Sequence, residues 1–120
     1  MWQGVILGEP CSKANSRKVA TFPNRKPLFI KSDKARNYER DALKQIRPPA
    51  SPIEVDVCLT ATIFYASRRP DLDESLICDV LQKAGVIKND RLIKEKHIYH
   101  GLDRENPRAE LQIKIREQTT

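Results

Sequence analysis

Ile53-Glu54-Val55-Asp56-Val57-Cys58-Leu59-Thr60-Ala61-Thr62-Ile63-Phe64-Tyr65 alternates apolar and other residues along its length. Successive side chains of an extended chain point to opposite faces, so Ile53, Val55, Val57, Leu59, Ala61, Ile63 and Tyr65 share one face. Glu54, Asp56, Cys58, Thr60, Thr62 and Phe64 share the other. This period predicts the longest strand of the fold over Ile53–Tyr65, with one face packed on helices. The strand runs through Ala66-Ser67-Arg68-Arg69-Pro70 into Asp71-Leu72-Asp73-Glu74. Asp71 and Asp73, two residues apart in an extended segment, aim side by side at one point next to two arginines. Carboxylates placed so repel each other, and a cation is the natural remedy.

Downstream, Leu76, Ile77, Val80, Leu81 and Ala84 form the buried stripe of a helix that Gly85 is suited to end in a left-handed conformation. Val86-Ile87-Lys88-Asn89-Asp90 is the return. Ile93–His100 reads as extended, Gly101–Pro107 as a turn, Ala109–Ile115 as a last alternating strand, and Gln118–Thr120 as a tail. Upstream, Val5-Ile6-Leu7 suits a first strand. Arg17–Phe22 and Pro27–Lys31 flank the turn-forming Pro23-Asn24-Arg25-Lys26 as a hairpin or loop pair with the chain's highest basic density. Ser32 has the chemistry of an N-cap, followed by Asp33 near the positive end of the helix dipole. Ala35, Tyr38, Ala42 and Ile46 make one apolar stripe, and Pro48-Pro49 stops that helix. No internal repeat or low-complexity segment interrupts the pattern. The expectation is one α+β domain over residues 1–120, a mixed or antiparallel sheet packed against two main helices.

With 120 residues there is room for one core and little more. Lys and Arg number 22 against 16 Asp and Glu, a formal charge of +6, which points to a polyanionic partner, nucleic acid ahead of a membrane surface. Cys11, Cys58 and Cys78 are odd in number and lack C-x-x-C spacing, so reduced thiols in a cytoplasmic protein are expected. The first residues lack the charged start and long apolar core of a secretory signal. No apolar run approaches the ~20 residues needed to span a bilayer.

Asp71, Asp73 and Asp90 bracket the second helix, and hard oxygen donors of this kind suit Mg²⁺ or Mn²⁺. Such an ion would neutralise charge on a scissile phosphate and activate a water for in-line attack. Glu74 and Asp79 are further candidate ligands. The plainer alternative is that Asp73 caps the helix while Asp71 pairs with Arg68 or Arg69. Lys13, Arg17, Lys18, Lys31, Lys34, Arg68, Arg69 and Lys88 are the candidate phosphate-gripping residues. His97 and His100 fit neither a metal pair nor a triad and read as surface residues. The absence of a glycine-rich phosphate loop argues against a nucleotide cofactor. Trp2, Phe22, Phe29 and Tyr38 could stack bases or fill the core.

The run Arg69-Pro70-Asp71-Leu72-Asp73, then Cys78-Asp79-Val80-Leu81-Gln82-Lys83-Ala84-Gly85-Val86-Ile87-Lys88-Asn89-Asp90-Arg91-Leu92-Ile93, resembles the RusA family of Holliday junction resolvases, common in phages and prophages. The likeness is densest over Thr62–Ile93 and extends more thinly through Pro10, Asn15, the Lys31–Ala42 helix and the closing strand. It implies a homodimeric, Mg²⁺-dependent endodeoxyribonuclease of DNA recombination and repair. Such enzymes cut four-way junctions by paired nicks, with the family's essential aspartates falling on Asp71, Asp73 and Asp90. Glu74 stands where the family carries Asn, and Ile77 where a lysine follows the second aspartate by one helical turn. The segment from Asp73 to Asp79 is also shorter than the family pattern by about half a turn. A lysine assisting the reaction would then come from Lys31, Lys34 or Lys88. Two other functions stay open: a non-catalytic nucleic-acid-binding module, and a metal nuclease acting on other branched DNA or on RNA.

Overall fold

The computed structural model describes residues 1–12 and 17–116. In chain order the elements are β1 (Trp2–Leu7), β2 (Arg17–Ala20), β3 (Leu28–Lys31), α1 (Asp33–Gln45), β4 (Val57–Tyr65), α2 (Ser75–Lys83), a 3₁₀ turn at Asp90–Leu92, β5 (Ile93–Leu102) and β6 (Arg108–Ile115). The main sheet runs β1-β6-β4-β5, and β2-β3 is a separate two-stranded hairpin. β6 is antiparallel to both β1 and β4, whereas β5 lies parallel to β4. Parallel neighbours need a crossover, and α2 supplies it. The architecture is the α+β mixed sheet with two helices that the residue pattern implied.

Alternation in β4 is realised as burial. Val57, Leu59, Ala61 and Ile63 have no exposed surface and Tyr65 has 1%, while the residues between them are half-buried. Ala35, Tyr38 and Ala42 of α1 and Leu76, Ile77, Val80 and Leu81 of α2 close over that face with Ile6 and Ile113. Ser32 Oγ accepts the Ala35 amide at 3.2 Å, so the expected N-cap forms. Trp2 Nε1 donates to the Arg47 carbonyl at 3.0 Å, tying β1 to the chain just after α1. Gly85 takes φ +82° past the end of α2, where a Cβ would strain the backbone.

One boundary differs from expectation. The predicted strand Ile53–Tyr65 begins only at Val57, and β5, with 10 residues, is the longest strand. Both neighbours of β4 start or stop there, since Val57 is opposite Ile93 on one side and Ile115 on the other. Upstream of it, Ile53 bridges to Ile87, its amide donating to the Val86 carbonyl and its carbonyl accepting the Lys88 amide, both at 3.0 Å. Val55, expected inside, is 49% exposed. Side-chain alternation continues where strand partners have run out.

Cross-strand neighbours share a face, so Lys96 opposite Leu59 and His100 opposite Ile63 look toward the helices. Cys58, Thr60, Thr62, Glu95, His97 and Tyr99 lie on the far face. Of the four aromatics weighed as base-stacking candidates, Trp2 and Tyr38 are core, while Phe22 and Phe29 are exposed on the hairpin and its turn. No helix among the described residues is long and apolar enough to cross a membrane.

Candidate active site

Tyr65, the last residue of β4, organises the acidic segment. Its hydroxyl donates to the Asp71 carbonyl at 3.2 Å and accepts the Asp73 amide at 3.4 Å. A single buried phenol thus fixes the backbone on either side of Leu72. His100 braces the same point from β5, its ring 4.6 Å from that of Tyr65 and its Nε2 3.2 Å from the Pro70 carbonyl. Burial pushes the Tyr65 hydroxyl above its ordinary pKa, with the charges of Asp73, Glu9 and Glu74 adding to the effect and its bond to Asp73 opposing it. The phenol therefore remains a donor at neutral pH.

Asp73 Oδ1 accepts the Ser75 amide at 2.9 Å, a local turn that starts α2, and Glu74 occupies the N-cap position without a side-chain capping bond. Glu74 turns instead to Lys96, whose Nζ donates to Oε1 at 3.2 Å. Burial opposes the charge on Lys96, but Cys78, the hydrogen bond and charge of Glu74, and the charge of Asp90 together raise its pKa. The Cys78 thiol is pushed up to about 11, first by burial and then, against Lys96, by Glu74, Asp79 and Asp90. Groups on three different elements thus act on the same sulfur, which places Glu74, Asp79, Asp90 and Lys96 around the first turns of α2. The thiol itself stays protonated and is no nucleophile.

Asp90 begins the 3₁₀ turn, with Gln82 Oε1 accepting its amide at 2.9 Å and Asn89 Oδ1 accepting the Arg91 amide at 2.9 Å. It lines a groove of about 520 Å³ with Asp79, Lys31, Lys83 and Arg91. Asp71 lines a second groove of about 300 Å³ with Lys34, Arg69 and Glu9. Cys11, which lines the second groove, feels the charge of Asp73. Among the described residues no ion-pair partner closes on the carboxylate of Asp71 or Asp90, and neither Arg68 nor Arg69 pairs with Asp71. These hard oxygens, two of them beside polar grooves and without an ion-pair partner among the described residues, are a donor set that suits Mg²⁺ or Mn²⁺. The three aspartates do not form a trio with oxygens all within 4.8 Å, a spacing that among the described residues only Cys58, Glu95 and His97 attain.

The expected phosphate-gripping residues scatter. Lys34 and Arg69 flank Asp71, and Arg68 is exposed nearby. Lys31 is held by Glu39, which also takes Lys83 at 2.6 Å. Lys18 pairs with Asp33 at 3.2 Å, and Lys88 with Glu54 at 3.3 Å. Lys13 and the Arg17 side chain lie outside the described residues. Lys96, which the sequence pattern did not single out, pairs with Glu74 of the acidic segment, while Lys34 shares the groove of Asp71 and Lys31 that of Asp90. The alternation of Lys94, Lys96 and Ile98 in an extended run was the available signal, but only the parallel register of β5 on β4 puts Lys96 beside Glu74.

The family described as Endodeoxyribonuclease RusA matches residues 8–114. A curated relative, the crossover junction endodeoxyribonuclease RusA of Aquifex aeolicus (strain VF5), is 34% identical over 80 residues. That match covers 62% of this chain and 64% of the relative, so under two thirds of the relative's length is spanned.

Proposed function

The chain belongs to the RusA endodeoxyribonuclease family, and on that premise we propose that it is a divalent-metal-dependent nuclease that resolves four-way DNA junctions. The observation that carries this reading is the Tyr65 hydroxyl joining Asp71 to Asp73, with the Asp71 and Asp90 carboxylates left without ion-pair partners among the described residues. Asp71, Asp73 and Asp90 would hold Mg²⁺, with Mn²⁺ as a substitute. When bound, that ion supplies charge neutralisation at the scissile phosphate and a water of lowered pKa.

The chain's own residues supply positioning. Lys34 and Arg69 flank Asp71 and can take phosphate oxygens on that side. Lys96, held by Glu74, presents a fixed ammonium on the other side, where it can offset charge building on the phosphoryl oxygens. Two nicks on opposed strands need two such sites. A four-way junction has approximate two-fold symmetry, so an isologous homodimer would address both strands with identical surfaces.

The test is cleavage of a synthetic four-way junction, compared with a matched linear duplex and single-stranded RNA, in Mg²⁺ and in chelator. Paired nicks in the junction alone are expected. Asp71→Asn should lower the rate by more than about 100-fold, beyond what losing an outer supporting group costs. Its junction binding should survive or tighten, since a negative charge near the phosphates is removed. Full activity of Asp71→Asn would overturn the site. Salt-sensitive binding without cleavage would instead make the chain a binding module.

A further inference from the structure

The face of the sheet turned away from the helices carries a cluster that the nuclease reading does not use. Cys58 of β4 and Glu95 of β5 are register partners, and His97 lies two residues along β5 on the same face. Cys58 Sγ is 3.3 Å from Glu95 Oε2, and His97 Nε2 is 2.8 Å from that same oxygen. One donor atom from each residue falls within 4.8 Å of the others. We propose that Cys58, Glu95 and His97 form a second metal site, selective for Zn²⁺ over Mg²⁺, that clips the edge strand β5 to β4.

The donor chemistry sets the choice of metal. A thiolate, an imidazole and a carboxylate are a Zn²⁺ set, whereas Mg²⁺ prefers oxygen alone and gives up its waters reluctantly. Around a tetrahedral Zn²⁺ with ordinary bond lengths, neighbouring donors stand roughly 3.3–3.6 Å apart. The Cys58–Glu95 and His97–Glu95 separations need to open by no more than about half an ångström, and Cys58 and His97, within 4.8 Å of each other, can approach by side-chain torsions on the two strands. Binding releases the Cys58 thiol proton to water and uses the lone pair on His97 Nε2. Arg116 Nε lies 3.6 Å from the other Glu95 oxygen, Oε1, and leaves Oε2 to face the cluster. His97 and Glu95 are each nearly half exposed, so an ion can enter from solvent and keep a water as its fourth ligand.

The position gives the site a consequence. β5 is an edge strand, hydrogen-bonded within the sheet to β4 alone, and one ion held by Cys58 on β4 and by Glu95 and His97 on β5 would cross-link the two. This inference does not depend on the nuclease reading, and its test needs no DNA. Reduced protein is titrated with Co²⁺ in excess Mg²⁺ and followed by the thiolate-to-cobalt charge-transfer absorption, and thermal unfolding is measured with and without Zn²⁺. Expected are a saturable cobalt–thiolate band that Zn²⁺ displaces and a rise in Tm with Zn²⁺. Both should be lost in Cys58→Ser, weakened at least about 10-fold in affinity in His97→Ala, and retained when Asp71 and Asp90 are both changed to Asn. No band in the parent chain, or a band that survives in Cys58→Ser, overturns the proposal. So does a Zn²⁺-induced Tm rise unchanged in exposed-site His97→Ala.

Discussion

A single hydroxyl group at Tyr65 ties together the backbone of two aspartates. Tyr65→Phe keeps the ring that packs against His100 but leaves the Asp71 carbonyl and the Asp73 amide without their shared partner. Loss of a part-buried hydrogen-bonding group of this kind costs about 1 kcal/mol, readable in urea unfolding. A purely structural role would end there. A positioning role predicts in addition that Tyr65→Phe needs more Mg²⁺ for half-maximal cleavage, and an unshifted metal dependence would remove Tyr65 from the site. Lys96 acts differently. Lys96→Met should lower kcat by roughly 10²-fold, the scale of losing one preorganised charge donor, while KM changes little. Lys96→Arg should recover part of the rate. A KM effect alone would make Lys96 a binding residue. Asp71 and Asp73 were singled out from their spacing alone, although they lie past the end of β4 and outside any strand. Lys96 was not, because its distance from Glu74 depends on the β4–β5 register, which no local pattern encodes.

At the scale of elements, Glu39 is the joint. From α1 it reaches Lys31 on β3 and Lys83 at the end of α2, holding the hairpin and both helices at one point. Burial would raise its pKa, but the hydrogen bonds and charges of the two lysines outweigh that and lower it. A carboxylate whose folded pKa is depressed adds stability that is fully present above its unfolded pKa and is lost as pH falls through the folded one. Glu39→Gln should therefore be less stable than the parent chain at neutral pH. The gap should close as pH drops below about 4.3, the ordinary glutamate value, in urea unfolding at a series of pH values. A gap that keeps its full neutral-pH size however far the pH falls below that value would show that the amide costs packing and that the charge contributes nothing. Element ends were largely readable in the sequence, because Ser32, Pro48-Pro49 and Gly85 act within a residue or two of where they stand. The start of β4 was not, since alternation reports which way side chains face and is silent on whether a partner strand is present.

The whole molecule is elongated, 54 × 35 × 28 Å, and every residue from Thr21 to Ile30 is exposed. The β2–β3 hairpin therefore stands off the body as an arm, joined to it at Lys31–Glu39 and Lys18–Asp33. Composition pointed to a polyanionic partner from the +6 charge, but it could not say which cations are spent on internal ion pairs. Lys18, Lys31 and Lys88 are spent in that way. Arg25 and Lys26, at the turn of the arm, meet no acidic partner among the described residues, and on the proposed function they are candidates to reach a second duplex arm. Each phosphate neutralised contributes about −0.9 to the slope of log K against log salt. If both residues contact phosphate, replacing them with Gln should flatten that slope by about 1.8, while junction cleavage at saturating protein keeps its rate, because Asp71, Asp73 and Asp90 lie on the body. Fluorescence anisotropy of a labelled junction across a salt series measures it. An unchanged slope would take the arm off the DNA and leave recognition to the cations around Asp71, namely Lys34, Arg68 and Arg69.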